Sequence, residues 1–327
     1  MKSTVIASAP YRISLFGGGT DYPAWFEKYG GKTISFAIDK YCHVSFRKLP
    51  NFFWHKYRIV YSKTEICNKI SEIKHPTVRN VLNFFKIKDG VEIHHFSDLP
   101  ARSGIGSSSA FTVALITAIS KFYNFKLNKK TIAEYAILIE QKKNKEYVGN
   151  QDQVITSYGG FKKITFEKKI FKVSNMNVDT IKKIKNNSLL LFTGKSRTAD
   201  KIAKSKVENI KNKISIISLM EIKNICEKAE KLMSVNTTDL KAIGSLLSLS
   251  WENKKKLSKK VNNKLIDQYM NLIFSENVYG AKVLGAGGGG FIFILAKKKL
   301  HKRIINKTRL LNISFDLDKS GAICGSI

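Results

Sequence analysis

Residues 98 to 113 read Asp-Leu-Pro-Ala-Arg-Ser-Gly-Ile-Gly-Ser-Ser-Ser-Ala-Phe-Thr-Val, a proline-, glycine- and serine-rich loop that runs without a spacer into an apolar helix predicted over 110–123. A chain built this way has to set the start of a packed helix against an open, glycine-lined surface. Gly104 and Gly106 let the main chain come close to a ligand, and Ser107, Ser108 and Ser109 bring hydroxyl and N–H groups to the positive end of the helix. Such an end suits a phosphate. The stretch is not the P-loop of the NTPases, because no Gly-Lys-Ser/Thr follows the first glycine at the required spacing. Taken alone, it also fits a helix merely capped by serine after a glycine turn.

With 327 residues, 43% of them hydrophobic, the chain can fill more than one core, and a change of rhythm near residues 165–175 divides it into expected domains 1–168 and 169–327. The longest apolar runs, such as 291–296 and 188–192, fall far short of the ~20 residues of a membrane helix. No charged-then-apolar signal region opens the chain, so a cytoplasmic protein with no membrane partner is expected. Cys42, Cys67, Cys226 and Cys324 lie far apart and read as small packed residues. The formal net charge of +32 favours anionic partners. The lysines are spread along the chain rather than gathered in a stripe, which speaks against nucleic acid.

Two more glycine loops frame the central one. Strands are predicted over 4–8 and 11–16, with a break at Ala9-Pro10, and they lead into Gly17-Gly18-Gly19-Thr20-Asp21-Tyr22. That loop fits either a hairpin turn with a solvated aspartate or a wrap round a small polar ligand, with Asp21 accepting from hydroxyls. Near the C-terminus, Gly285 and Gly287 to Gly290 sit between apolar segments, where the entropic cost of glycine argues for a close backbone approach.

Between them come the carboxylates. Residues 131–146 have helical apolar spacing that turns Glu140 inward, toward either a magnesium ion beside bound phosphates or a buried lysine or arginine. Asp152, flanked by Gln151 and Gln153, reads as a positioned base or electrostatic partner, with helix capping as the alternative. Lys195 and Arg197, at the end of a strand predicted over 188–193, are either phosphate ligands or solvated surface. Three amphipathic helices follow, over about 214–233, 238–257 and 262–277, the second with a stripe of Ile243, Leu247, Trp251 and Lys254.

In this order, Ala9-Pro10-Tyr11-Arg12 with Gly17 to Tyr22, then Pro100 to Ala110, then Leu284 to Phe291 resemble the three motifs of the galactokinase, homoserine kinase, mevalonate kinase and phosphomevalonate kinase superfamily. Gly17 to Pro23, Ser97 to Gly104, Gly149 to Gln153 and Thr193 to Ala199 look most like the D-glycero-D-manno-heptose 7-phosphate kinases, and some of these stretches are also close to fucokinases. Gly18 and Gly19 stand where galactokinases carry glutamate and histidine, which argues against galactose.

The resemblance implies a two-domain α+β fold, with an N-terminal domain like ribosomal protein S5 domain 2 and a ferredoxin-like C-terminal domain. It implies an ATP-dependent phosphotransfer to the C1 hydroxyl of a heptose 7-phosphate; the alternatives are another anomeric sugar kinase, such as a fucokinase, or a catalytically silent sugar sensor. Arg102, Ser103, Gly104, Ile105, Gly106, Ser107, Ser108 and Ser109 would wrap the ATP phosphates, Ser108 and Glu140 would hold Mg²⁺, and Asp152 would meet the acceptor hydroxyl with Arg12 beside it. Gly17, Gly18, Gly19, Thr20, Asp21, Tyr22, Gln151, Lys195, Arg197, Gly287 and Gly288 would face the substrate. The implied partners are ATP and a sugar phosphate, and a homodimer is left open.

Overall fold

The computed structural model describes residues 4–168, 170–194, 199–234 and 238–326. Lys195 and Arg197 lie outside the described residues. The first sheet contains β1 (Thr4–Phe16), β2 (Gly31–Lys48), β3 (Tyr57–Val60), β4 (Thr64–Cys67), β5 (Val91–Ser97), β6 (Phe161–Glu167) and β7 (Ile170–Asn175). The second contains β8 (Ser188–Phe192), β9 (Gly280–Val283), β10 (Phe291–Leu295) and β11 (Leu311–Asn312), and the final strand β12 (Ile323–Ser326) returns to the first. The order is β12-β1-β2-β5-β3-β4 in the first sheet, with β6 on β2 and β7 on β6, and β11-β8-β10-β9 in the second. The β6–β7 hairpin thus spans the boundary expected at 168/169.

Ala9-Pro10 does not end a strand, contrary to the break expected there. Strand β1 runs through it, and the missing N–H of Pro10 is absorbed by a register shift against β2 between Pro10 and Tyr11, as a bulge absorbs it. Strand β2 is one long strand, with β6 pairing its first half and β5 its second.

Helices α1 (Pro23–Tyr29), α2 (Pro76–Phe84), α3 (Ser107–Tyr123), α4 (Lys129–Leu138) and α5 (Gln151–Tyr158) belong to the first half of the chain. Helix α3 is apolar almost all round because it lies on β1 and β2 and is covered by α4 and α5, so Val113, Leu115, Ile116 and Ile119 are all buried. Helices α6 (Val178–Asn186), α7 (Ala199–Lys211), α8 (Ile216–Ser234), α9 (Leu240–Lys255), α10 (Lys264–Phe274) and α11 (His301–Thr308) complete the chain.

Strand β10 joins the two halves. Its run Phe-Ile-Phe-Ile-Leu is buried on both faces: Phe291, Phe293 and Leu295 enter the core shared with β1, β2 and α3, while Ile292 and Ile294 enter a second core with Trp251, Ile266, Met270 and Ile304. Alternation with period two, rather than a polar face, is what a strand between two layers requires. At ~25 cal/mol per Å² of apolar surface, such two-sided burial dominates the strand's contribution to stability.

Candidate active site

The central loop meets the C-terminal half of the chain backbone to backbone. Phe291 N–H donates to Ser103 C=O (3.1 Å), and a Cβ on Gly104 would stand 2.8 Å from Leu284 O. Only glycine fits there. Helix α3 is capped by Gly106 in the left-handed region (φ 79°) with no side-chain cap. Ser107 instead accepts the Arg102 N–H at its Oγ (2.9 Å). The serine-capped helix is therefore not what forms. The first helical hydrogen bond runs from Ala110 N–H to Gly106 C=O (2.9 Å), which leaves the amides of Ser107 to Ser109 ahead of it at the positive helix end.

Arg12, on β1, forms a two-bond fork with Asp152 in the first turn of α5: Nε donates to Oδ1 and Nη2 to Oδ2, each at 2.7 Å. Its Nη1 donates to Gly104 C=O (2.7 Å), and its backbone N–H to Ile105 C=O (3.1 Å), so one side chain fixes the carboxylate against the central loop. Asp21 is almost fully buried and serves the backbone. Its Oδ1 accepts the Gly19 N–H (2.8 Å), its Oδ2 accepts the Gln151 N–H (3.3 Å), and its C=O accepts the Asn150 N–H (2.9 Å). A Cβ on Gly149 would overlap the Asp21 carboxylate, which is why glycine precedes this turn. Burial, then the nearby Asp152, pushes the Asp21 carboxyl above its ordinary range.

Glu140 sits where α4 widens into one π-helical turn, Ile139–Lys143, an irregularity that re-aims a side chain without ending the helix. It is fully buried. Neither lysine nor arginine meets it: Oε2 accepts from Ser109 Oγ (2.9 Å) and Gln153 Nε2 (2.6 Å), while Oε1 has no hydrogen-bond partner. Burial, with Glu146 nearby, raises its carboxyl from 4.5 to about 8. An orphaned carboxylate oxygen beside a second carboxylate fits a divalent cation. The hydroxyl bonded to Glu140 is that of Ser109, whereas the pairing expected was with Ser108; Ser108 lines the cleft one position earlier. Among the described residues no group of three or more His, Cys, Asp or Glu side chains is placed to hold a metal ion by itself.

Residues 71–160 match the N terminal domain of the GHMP kinases, and residues 221–308 match the GHMP kinases C terminal. The mevalonate kinase of Methanocaldococcus jannaschii is 30% identical over 235 residues, 70% of each chain. The protein belongs to the GHMP kinases. A D-glycero-alpha-D-manno-heptose 7-phosphate kinase of Campylobacter jejuni is 28% identical over 318 residues, 94% of this chain and 93% of the relative. A crystal structure described as "a D-glycero-D-manno-heptose 1-phosphate kinase from Bacteriodes thetaiotaomicron" superposes with a TM-score of 0.80 at 19% identity, covering 99% of each chain. The two-domain α+β architecture is that of the family.

In this GHMP kinase a cleft of about 550 Å³ gathers parts of all three glycine loops: Gly18, Gly19, Asp21 and Tyr22, then Arg102, Gly104, Gly106 and Ser107 to Ser109, then Gly285 and Ala286. Arg12, Gln151 and Asp152 line it too. Other expected contacts hold the loops in shape instead. Ser103 is buried and donates to Pro100 C=O (2.6 Å), and Ile105 is a core residue. Gly17 C=O accepts from the buried Thr20 through both N–H (3.0 Å) and Oγ1 (2.8 Å). Gly287 and Gly288 pack on Val261, with Gly288 N–H donating to its C=O (2.7 Å), so Gly285 and Ala286 reach the cleft in their place.

Sequence reasoning missed Lys206 and Lys282, which line the cleft with Lys254. In a lysine-rich chain they look like surface residues. Lys282, between Ala281 and Val283 on a fully buried strand, and Lys254, on the apolar stripe of its helix, carried a readable signal; Lys206 carried none.

Proposed function

We propose that this GHMP kinase transfers the γ-phosphoryl group of ATP to the C1 hydroxyl of D-glycero-D-manno-heptose 7-phosphate, giving the 1,7-bisphosphate for nucleotide-activated heptose and surface glycans. The observation that carries the reading is the Arg12–Asp152 fork, placed where the first and central glycine loops face one cleft. Similarity over nearly the full length to a heptose 7-phosphate kinase supports the acceptor.

The Ser107 to Ser109 amides and hydroxyls at the start of α3 would hold the triphosphate. Glu140, with Ser108 or Ser109, would hold Mg²⁺, which when bound neutralises phosphate charge. Asp152 would accept the proton of the acceptor hydroxyl as its oxygen bonds to the γ-phosphorus and the bond to the β–γ bridging oxygen breaks, leaving ADP. Arg12 holds that carboxylate in register and offers positive charge to the transferring group. Most of the catalytic work assigned to the chain is positioning and charge stabilisation.

A second regiochemistry has one observation in its favour, since the superposed Bacteroides structure is described as a heptose 1-phosphate kinase. Purified protein given ATP, Mg²⁺ and a panel of heptose 7-phosphate, heptose 1-phosphate, fucose, galactose and mevalonate tests the reading. Turnover of another compound with none on the 7-phosphate would overturn it.

A further inference from the structure

The cleft wall contributed by the C-terminal half of the chain carries three lysines that the transfer chemistry does not use. Lys206 comes from α7, Lys254 from α9 and Lys282 from β9, and all three are buried. Each ammonium is tied to one main-chain carbonyl: Lys206 Nζ donates to Ala286 C=O (2.9 Å), Lys254 Nζ to Val283 C=O (3.0 Å) and Lys282 Nζ to Leu15 C=O (2.7 Å). An ammonium has three donors, so each is held in place with hydrogen-bonding capacity left over. Among the described residues none of the three forms an ion pair.

Two of the carboxylates that line the cleft are committed elsewhere, Asp152 to Arg12 and Asp21 to the amides of Gly19 and Gln151. The cleft as a whole is lined by six basic and three acidic side chains. Burying several cations together without counter-charge is costly, and an anionic ligand is what would offset that cost. Burial lowers all three ammonium groups, and mutual repulsion and Arg12 add to this for Lys254 and Lys282.

Their position ties them to the first glycine loop. Lys282 bonds Leu15, just ahead of the first glycine loop, and Lys206 and Lys254 lie within electrostatic reach of Asp21 in that loop. We infer that Lys206, Lys254 and Lys282 form a phosphomonoester site that reads a phosphate already present on the acceptor, distinct from the phosphoryl group being transferred. The site deepens the sugar-phosphate kinase reading and rests on it. It makes the enzyme selective for an acceptor that has already been phosphorylated at a distant carbon, so a kinase acting on the free sugar, or a reaction that forms the phosphorylated sugar directly, must supply its substrate.

The test is calorimetric binding without nucleotide, comparing D-glycero-D-manno-heptose 7-phosphate with the unphosphorylated heptose, and D-mannose 6-phosphate with D-mannose. Wild-type protein is expected to prefer the phosphorylated form of each pair by about tenfold or more, the scale of one or two charge-assisted hydrogen bonds. Lys206→Met and Lys254→Met should each remove most of that preference while leaving the affinity for unphosphorylated sugar and for MgATP unchanged. A structural role would weaken all ligands alike. Equal loss for MgATP, equal loss for the unphosphorylated sugar, or no loss at all overturns the inference. Absence of turnover with heptose 7-phosphate would defeat the kinase reading instead, and the binding preference would still be measurable with the mannose pair.

Discussion

Arg12 and Asp152, 140 positions apart in sequence, meet in a planar fork of two 2.7 Å hydrogen bonds, and the same guanidinium reaches the Gly104 carbonyl of the central loop. That single side chain couples the first strand, the central loop and the helix bearing the proposed base. Asp152→Asn keeps the shape but offers an amide where a carboxylate has to take a proton, so kcat is expected to fall about 10²–10⁴-fold with circular dichroism and Tm close to wild type. Unchanged turnover would remove the catalytic role.

Arg12→Lys preserves charge but not the fork, because an ammonium cannot present two parallel donors to both carboxylate oxygens. Turnover should fall by about tenfold or more. Steady-state kinetics should place the loss in kcat rather than in the KM for ATP.

Much of this site could be read in the sequence, and its failures have physical causes. The helix predicted over 110–123 announced itself by a mostly apolar run, interrupted up to Ile119 only by Thr112 and Thr117, and Glu140 by an apolar face that no exposed helix needs. Pro10 misled because a proline predicts a strand end unless the partner strand absorbs it in a bulge, and that depends on β2, whose pairing is long-range. Asp21 lines the cleft as a hydroxyl acceptor there would, but its carboxylate also holds the Gln151 amide, 130 residues away, which no local pattern reveals. The three cleft lysines illustrate the same limit: charge composition says how many cations exist, and only the fold says which are buried together.

Glu140 makes stability depend on pH. Burial raises its carboxyl from 4.5 to about 8, so the folded state holds a proton that the unfolded chain has released. The resulting stabilisation is complete below pH 4.5 and is lost as pH rises through about 8. Glu140→Gln is neutral at every pH, so metal-free variant should melt higher than wild type by about 3 °C or more at pH 9 and show little difference near pH 4. Added Mg²⁺ should raise the wild-type Tm and leave that of the variant unmoved. Scanning calorimetry at the two pH values checks both statements.

The buried lysines act with the opposite sign. Burial lowers Lys206 to about 8 and Lys282 to about 7, with Asp21 opposing the shift at Lys206, and with Arg12 adding to it and Cys226 opposing it at Lys282. The unfolded chain therefore binds more protons than the folded one between these values and 10.5, and stability from these groups rises with pH across that window. Lys206→Met should raise Tm most at pH 6 and little at pH 10. Equal effects at both pH values would show that packing, not charge, dominates.

Gly285 lies against Gly104 with φ at +59°, and a methyl there would overlap the Gly104 Cα. Gly285→Ala is expected to destabilise the protein by about 1–3 kcal/mol through overpacking and to raise KM as the two glycine loops are pushed apart. Urea denaturation and initial-rate kinetics read the two effects separately.

The proposed reaction is decided by the position of the new phosphate. Incubated with heptose 7-phosphate, ATP and Mg²⁺, the enzyme should yield a bisphosphate whose second phosphorus couples in the ³¹P spectrum to the anomeric proton at C1. No product, or a phosphoryl group on any other hydroxyl, would contradict the account.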